Sequence, residues 1–339
     1  MIIVLKPRIS KKEERAVLNE IRKLGYTPHV MRGVARTVIG AIGDELTHAN
    51  LSALAAQFPR AVESVMPIQK RYKLVSREAH PSASTIRVRE HVIGGRKLQV
   101  MAGPCSVESE KQLLTVAEAV KTAGATVLRG GAFKPRTSPY EFQGLGEKGL
   151  KLLDKARRLT GLAVITELLS EQHVDLVAEY TDIIQIGARN AQNFQLLIAA
   201  AKTGKPILLK RGLSMKIEEW LLAGEYILAN ENSSLMFCER GIRTFETYTR
   251  NTLDLSTVPI IKHESHCPVV IDPSQGVGRA DLVTTMCKGA VAMGVDALLI
   301  EVHPNPAEAW SDGAQQVTLE VFAKLMKELK PFIAAAGRE

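Results

Sequence analysis

Aromatic side chains, cysteine and long apolar runs are all scarce in this chain of 339 residues, and each shortage excludes something. Aromatic residues make up 5% of the chain, and no strip interleaves them with basic residues. That argues against a nucleic-acid surface and gives no sign of a known nucleic-acid module. The four cysteines, Cys105, Cys238, Cys267 and Cys287, are widely spaced and form no CxxC pair. A disulfide framework is therefore not expected, and each thiol reads first as a small buried hydrophobe. No apolar stretch approaches the roughly 20 residues a membrane helix needs. The start, MIIVLKPRIS, is apolar only as far as Leu5, too short for a secretory leader. The expectation is a cytoplasmic protein with no membrane and no nucleic-acid partner.

Positive charge is plentiful. Lysine and arginine number 44 against 36 acidic residues, for a formal net charge of +8. Such a balance suits small phosphorylated ligands when the cations cluster.

The first 70 residues read as a self-contained unit. IIVLK is a strand, and SKKEERAVLNEIRKLG is a helix with Ser10 as N-cap, Glu13 three residues on, and Gly25 as its stop. TPHVMR and RTVIGAIG are strands, LTHANLSALAAQF a helix, and AVESVMPI a strand. The order β-α-β-β-α-β predicts a ferredoxin-like domain over residues 1–70. It holds no catalytic cluster, so it serves either assembly or ligand sensing. Residues 71–85 read as a polar linker, and TIRVREHVIGGRKLQVMAG as a hairpin around Gly94 and Gly95.

Over residues 86–339 short apolar strands alternate with amphipathic helices. The strands are KLQVMAG, TVLRGG, LAVITE, DIIQIG, PILLKRG, SLMFCERG, PVVIDP and ALLIEVHP. The stretch QQVTLEVFAKLMKELKPFI closes the series as a helix. Eight strand-helix units predict an α/β fold with a closed (β/α)8 TIM barrel. An open doubly wound sheet is the competitor, but no GxGxxG follows the first strand. Each strand end then carries chemistry: Cys105, Arg129, Glu167, Arg189, Lys210 with Arg211, Glu239 with Arg240, Asp272 with Gln275, and Glu301 with His303. Barrel active sites assemble at those ends.

LRGGAFKPRTSPY is the densest motif, with Arg129, Lys134 and Arg136 inside eight residues. Arginine forks match phosphate and carboxylate oxygens, and lysine supplies a movable point charge. With Arg189, Lys210, Arg211 and Arg240, these cations would repel one another at one barrel mouth unless anions sit there. A substrate pair with more than one anionic group follows. Lys210 could also act as a Schiff-base nucleophile, with Arg211 lowering its pKa. Cys105, Glu301 and Asp312 offer one thiol and two carboxylates to a divalent metal, although spacing alone is weak evidence for that.

The motifs GPCSVES, LRGGAFKPRTSPYEFQGLG, IQIGARNAQNF, LLKRGLSMKIEEWLLAGEYI, CERGIRTFETYTRNTLDLS and EVHPNPAEAWSDGAQQ carry a resemblance across nearly the whole chain. The chain resembles the 3-deoxy-D-arabino-heptulosonate 7-phosphate (DAHP) synthases, in the type I beta-like branch with an N-terminal ferredoxin-like domain. The resemblance implies a transferase of the shikimate pathway of aromatic amino acid biosynthesis, condensing phosphoenolpyruvate with erythrose 4-phosphate. It implies that Arg129, Lys134, Arg189, Lys210 and Arg240 hold phosphoenolpyruvate, and that Arg136, Thr137 and Asp272 face erythrose phosphate. Lys134, Lys210, Glu167 and Asp272 are the catalytic candidates. It further implies a divalent metal (Mn, Fe, Co or Zn) on a Cys, a His, a Glu and an Asp. Here Cys105, Glu301 and Asp312 match, but Gln275 stands where the histidine is expected, so the metal site is expected to be weakened or altered. The alternatives are a metal-independent 3-deoxy-sugar-acid phosphate synthase and a catalytically impaired paralogue that binds phosphorylated ligands. The N-terminal domain is expected to mediate feedback inhibition by tyrosine or phenylalanine, and the chain to form a homotetramer.

Overall fold

The computed structural model describes residues 1–7, 9–33, 36–43, 51–66 and 71–339. The chain divides into two compact units, one of residues 1–83 with 264–266, the other of the remaining residues.

In the first unit, strands β1 (Ile2–Leu5), β2 (Thr27–Arg32), β3 (Thr37–Ile42) and β4 (Val62–Met66) form one sheet in the order β2-β3-β1-β4. All its pairings are antiparallel, as a ferredoxin-like unit requires. Helix α1 (Lys11–Lys23) begins at a capping box. Ser10 Oγ accepts from the Glu13 amide, and the Glu13 carboxylate accepts from the Ser10 amide. Its apolar stripe sets Val17 and Ile21 into a core with Ile3, Leu5, Ile39 and Leu54. Of the second expected helix, the described part is α2 (Leu54–Gln57); its first residues, like the end of the last expected strand, lie outside the described residues.

In the second unit, a hairpin of β5 (Ile86–Val88) and β6 (His91–Ile93) precedes eight parallel strands. These are β7 (Gln99–Gly103), β8 (Val127–Arg129), β9 (Ala163–Leu168), β10 (Ile183–Ile186), β11 (Ile207–Lys210), β12 (Leu235–Glu239), β13 (Val269–Ile271) and β14 (Ala297–Glu301). They close into a barrel, β14 pairing with β7, so the expected architecture is observed. Nearly every strand residue is buried, which is why the strands read as continuous apolar runs rather than alternating ones. The outer helices have sharp ends. One is α3 (Glu110–Ala123), which starts on Ser109 and stops at Gly124 in the left-handed region, φ 103°.

Three local readings are corrected. The hairpin turns at Arg89 and Glu90, because Ile86 pairs with Ile93 and Val88 with His91. That register aims Ile86, Val88 and Ile93 at the barrel's lower layer, where they pack with Met101, Val127, Ile183 and Leu208. The expected last helix is two helices, Leu319–Glu328 and Lys330–Ala335, and Pro331 sits in the first turn of the second. The residues after Asp272 form a short helix, Pro273–Val277, rather than an open loop. Asp272 caps it, Pro273 opens it, and Gly278 ends it at φ 69°.

The plug beneath the barrel gives the first prediction. Ile93 is fully buried, so Ile93→Ala should remove about 2–5 kcal/mol of stability. Urea unfolding followed by circular dichroism measures it; a loss under about 0.5 kcal/mol would contradict the packing described.

Candidate active site

A cavity of about 360 Å³ opens at the C-terminal strand ends. Its wall carries seven cations, Lys134, Arg136, Arg189, Lys210, Arg240, Arg243 and Arg250, against three carboxylates, Glu141, Glu167 and Asp312. Thr137 and Gln275 line it too. The sequence had pointed to Lys134, Arg136, Thr137, Glu167, Arg189, Lys210, Arg240, Gln275 and Asp312, and all nine meet on this one wall. It had not singled out Arg243, Arg250 or Asn251. All three lie in the loop after β12, inside a motif already noted, and only the loop's path over the cavity brings them in.

Four other expected residues, Cys105, Arg129, Asp272 and Glu301, form a buried layer that does not line the cavity. Arg129, the last residue of β8, pairs with Glu301, the last residue of β14. The other Glu301 oxygen accepts from Gln315 Nε2 at 2.7 Å. Lys134 Nζ lies 3.1 Å from Cys105 Sγ. The Cys105 thiol donates to Asp312 Oδ2 at 3.4 Å, and Asp312 Oδ1 accepts from Arg250 at 3.1 Å.

Charges in this layer are mutually dependent. Burial, reinforced by the Glu301 carboxylate, pushes the Cys105 thiol up to about 12. Burial also works against the Lys134 ammonium. Cys105, Glu301 and Glu167 more than offset that, so Lys134 is raised and keeps its proton. Asp312 is partly desolvated, yet Arg250 and Lys134 hold its carboxyl below the usual range.

Lys210 is anchored from below, its Nζ 2.6 Å from Asp272 Oδ2. The other Asp272 oxygen accepts from the Gln275 amide at 2.9 Å. Asp272 is fully buried with both oxygens engaged, so it supports Lys210 and does not face the cavity as expected. Arg211 is a second correction. It turns away from Lys210, donating to Glu239 at 2.9 Å, Asp254 at 3.1 Å and the Met215 carbonyl at 2.9 Å. His303 sits 3.2 Å from Glu108 and outside the cavity wall.

Three charged wall groups are conspicuous for what they do not bond. Among the described residues, the Arg189 and Arg243 guanidinium groups and the Glu167 carboxylate have no hydrogen-bond or ion-pair partner. Gly187 makes room for that carboxylate, since a Cβ there would fall 1.8 Å from Glu167 Oε1.

The donor set fits a metal ion. One ligand atom from each of Cys105, Glu301 and Asp312 lies within 4.8 Å of the others. A thiolate with two carboxylates suits a divalent transition ion. The Gln275 amide oxygen is instead bonded to cations, at 3.2 Å from Lys210 Nζ and 3.4 Å from Arg240.

The buried pair supports a second prediction. Arg129→Met would leave Glu301 buried without its cation, at a cost of about 3–5 kcal/mol. Arg129→Met with Glu301→Leu should recover part of that loss in the same urea assay. A single variant as stable as the native chain would mean the pair is not formed.

Comparison with known proteins agrees with this geometry. A family model described as DAHP synthetase I family matches residues 78–335, and one described as DAHP synthase ferredoxin-like domain matches residues 1–70. A phospho-2-dehydro-3-deoxyheptonate aldolase of Thermotoga maritima is 49% identical, over 99% of this chain and 99% of its own. A 2-dehydro-3-deoxyphosphooctonate aldolase of Caulobacter vibrioides is 33% identical, over 74% of this chain and 91% of its own. The crystal structure of the Thermotoga DAHP synthase superposes with a TM-score of 0.79 at 48% identity, covering 100% of this chain and 98% of that one. A truncated form of the Thermotoga enzyme covers 78% of this chain and 98% of its own, with a TM-score of 0.74. The chain belongs to the DAHP synthetase I family.

Proposed function

We propose that this chain condenses phosphoenolpyruvate with erythrose 4-phosphate and releases phosphate, as the first step of the shikimate pathway. The observation that carries the reading is the seven-cation wall at the barrel mouth, with Arg189 left unpaired. Both substrates are phosphorylated and one is also a carboxylate, so together they match that surplus of positive charge.

In this reading Arg189, Lys210 and Arg240 grip the phosphate and carboxylate of phosphoenolpyruvate, and Arg136 with Thr137 meets the second substrate. Arg129 acts from beneath by fixing Glu301, and Asp272 by fixing Lys210. C3 of the enol bonds to the aldehyde carbon, water adds at C2, and the C2–O bond breaks to free phosphate. Lys134 carries its proton and lines the cavity, so it donates to the oxygen that becomes the new hydroxyl. Glu167, the unpaired carboxylate in the wall, orients the water and takes its proton. The surrounding cations stabilise the charge that develops as bonds change.

Cys105, Glu301 and Asp312 would hold a divalent metal of the Mn, Fe, Co or Zn group, which would polarise the aldehyde oxygen. Without an imidazole the centre is weaker than a four-ligand one. Residues 1–70 are read as a sensor for tyrosine or phenylalanine, residues 71–85 as a linker, and the working form as a cytoplasmic homotetramer.

Purified chain should consume phosphoenolpyruvate only when erythrose 4-phosphate is present, followed by loss of enol absorbance. Arg189→Ala should raise KM for phosphoenolpyruvate about tenfold or more, the worth of a charge-assisted hydrogen bond. Its melting temperature should not change, because Arg189 supports no other residue. An unchanged KM would remove Arg189 from the site. Deleting residues 1–70 should abolish inhibition by tyrosine or phenylalanine; inhibition that survives would place the sensor elsewhere.

A further inference from the structure

Gln275 lines the same cavity as Lys210, Arg240 and Asp312, the last a member of the Cys105–Glu301–Asp312 cluster, and its bonds decide whether it serves the cations or the cluster. Its amide oxygen accepts from Lys210 Nζ at 3.2 Å and from Arg240 at 3.4 Å. An amide oxygen has two lone pairs, and both are taken. Turning the amide over would aim its NH2 group at two cations, so the electrostatics fix which end faces them. The backbone is fixed as well. Asp272 Oδ1 accepts from the Gln275 amide at 2.9 Å, and Asn251 Nδ2 donates to the Gln275 carbonyl at 2.9 Å. Because Asp272 also binds Lys210, the three residues form a closed ring: Asp272 to Lys210, Lys210 to Gln275, and Gln275 back to Asp272.

We propose that Gln275 is a positioning residue of the substrate-anion site, bridging Lys210 and Arg240, and that the metal centre of this chain has three protein ligands, Cys105, Glu301 and Asp312. A dication drawn to the Gln275 oxygen would have to displace one of two cationic donors and then sit beside both. The amide nitrogen has no partner among the described residues, and Gln275 lines the cavity. That nitrogen is a neutral donor for an oxygen of the bound anion. The role assigned to the anion rests on the condensation reading; the place of Gln275 relative to the metal does not.

Two titrations on the full-length, chelator-stripped chain test this. Co2+ alone is followed by its thiolate charge-transfer band, and phosphoenolpyruvate by calorimetry without metal. Gln275→Met keeps the side-chain length, removes the donor and leaves only a weak thioether acceptor. Its Co2+ Kd should stay within about twofold of native, well inside the roughly tenfold that even an outer partner of a ligand is worth. Its affinity for phosphoenolpyruvate should fall about tenfold. Gln275→Glu keeps an acceptor for both cations and decides the matter if the Met variant does not fold. A bridging carboxylate leaves Co2+ affinity within about twofold, whereas a ligating one tightens it tenfold or more. Loss of Co2+ affinity in the Met variant, gain in the Glu variant, or native phosphoenolpyruvate affinity in the Met variant would overturn the assignment. A native chain that binds Co2+ but no phosphoenolpyruvate would sink the condensation reading, and the Co2+ titrations would still place Gln275.

Discussion

Seven cations share one cavity wall, and their mutual repulsion is the constraint the site is built around. Two unit charges 5 Å apart repel by about 3 kcal/mol at the effective dielectric of a protein surface. The barrel answers with carboxylates placed beneath or among the cations rather than with distance. Glu301 neutralises Arg129, Asp272 neutralises Lys210, Asp312 meets Arg250, and Glu141 meets Arg136. Each pairing lets a cation be held rigidly while its charge stays available to a ligand above. Among the described residues, Lys134, Arg189, Arg240 and Arg243 of the wall have no such carboxylate partner.

The same carboxylates that neutralise the cations supply the metal-ligand set, and this couples the two halves of the site. Glu301 belongs to both Arg129 and the metal cluster, and Asp312 to both Arg250 and the cluster. An ion arriving there competes with protein cations for the same oxygens. It also needs the Cys105 sulfur as thiolate, which burial disfavours until a metal is present. Gln275 stands apart from this competition, since its oxygen is committed to Lys210 and Arg240.

Much of the fold was legible because parallel barrel strands are buried on both faces and their chemistry falls at one end. Runs such as ILLK and LMFCE could be located; Lys210 at the end of the first lines the cavity, whereas Glu239 at the end of the second is buried against Arg211. Direction was harder. Lys210 and Arg211 are neighbours in sequence, yet they face opposite ways because side chains alternate at a strand end. Arg211 therefore pairs with Glu239 and leaves the site. The hairpin turn likewise depends on which way side chains face. Gly94 and Gly95 looked like the turn, but burying Ile86, Val88 and Ile93 together required the turn at Arg89 and Glu90.

The amino-acid sequence alone determined the two-unit organisation, the eight-strand series and nearly all the residue types at the mouth. These follow from local periodicity and from the matching of short motifs. Only the tertiary structure decided that Cys105, Glu301 and Asp312 converge, although some 200 residues separate the first from the others, because closure of the barrel sets β7 beside β14. It also decided that Asp272 lies under Lys210 rather than in the cavity, and that the Gln275 oxygen turns to two cations. Hydrogen-bond direction depends on which donors surround an acceptor in space, and those donors come from strands and loops far apart in the chain.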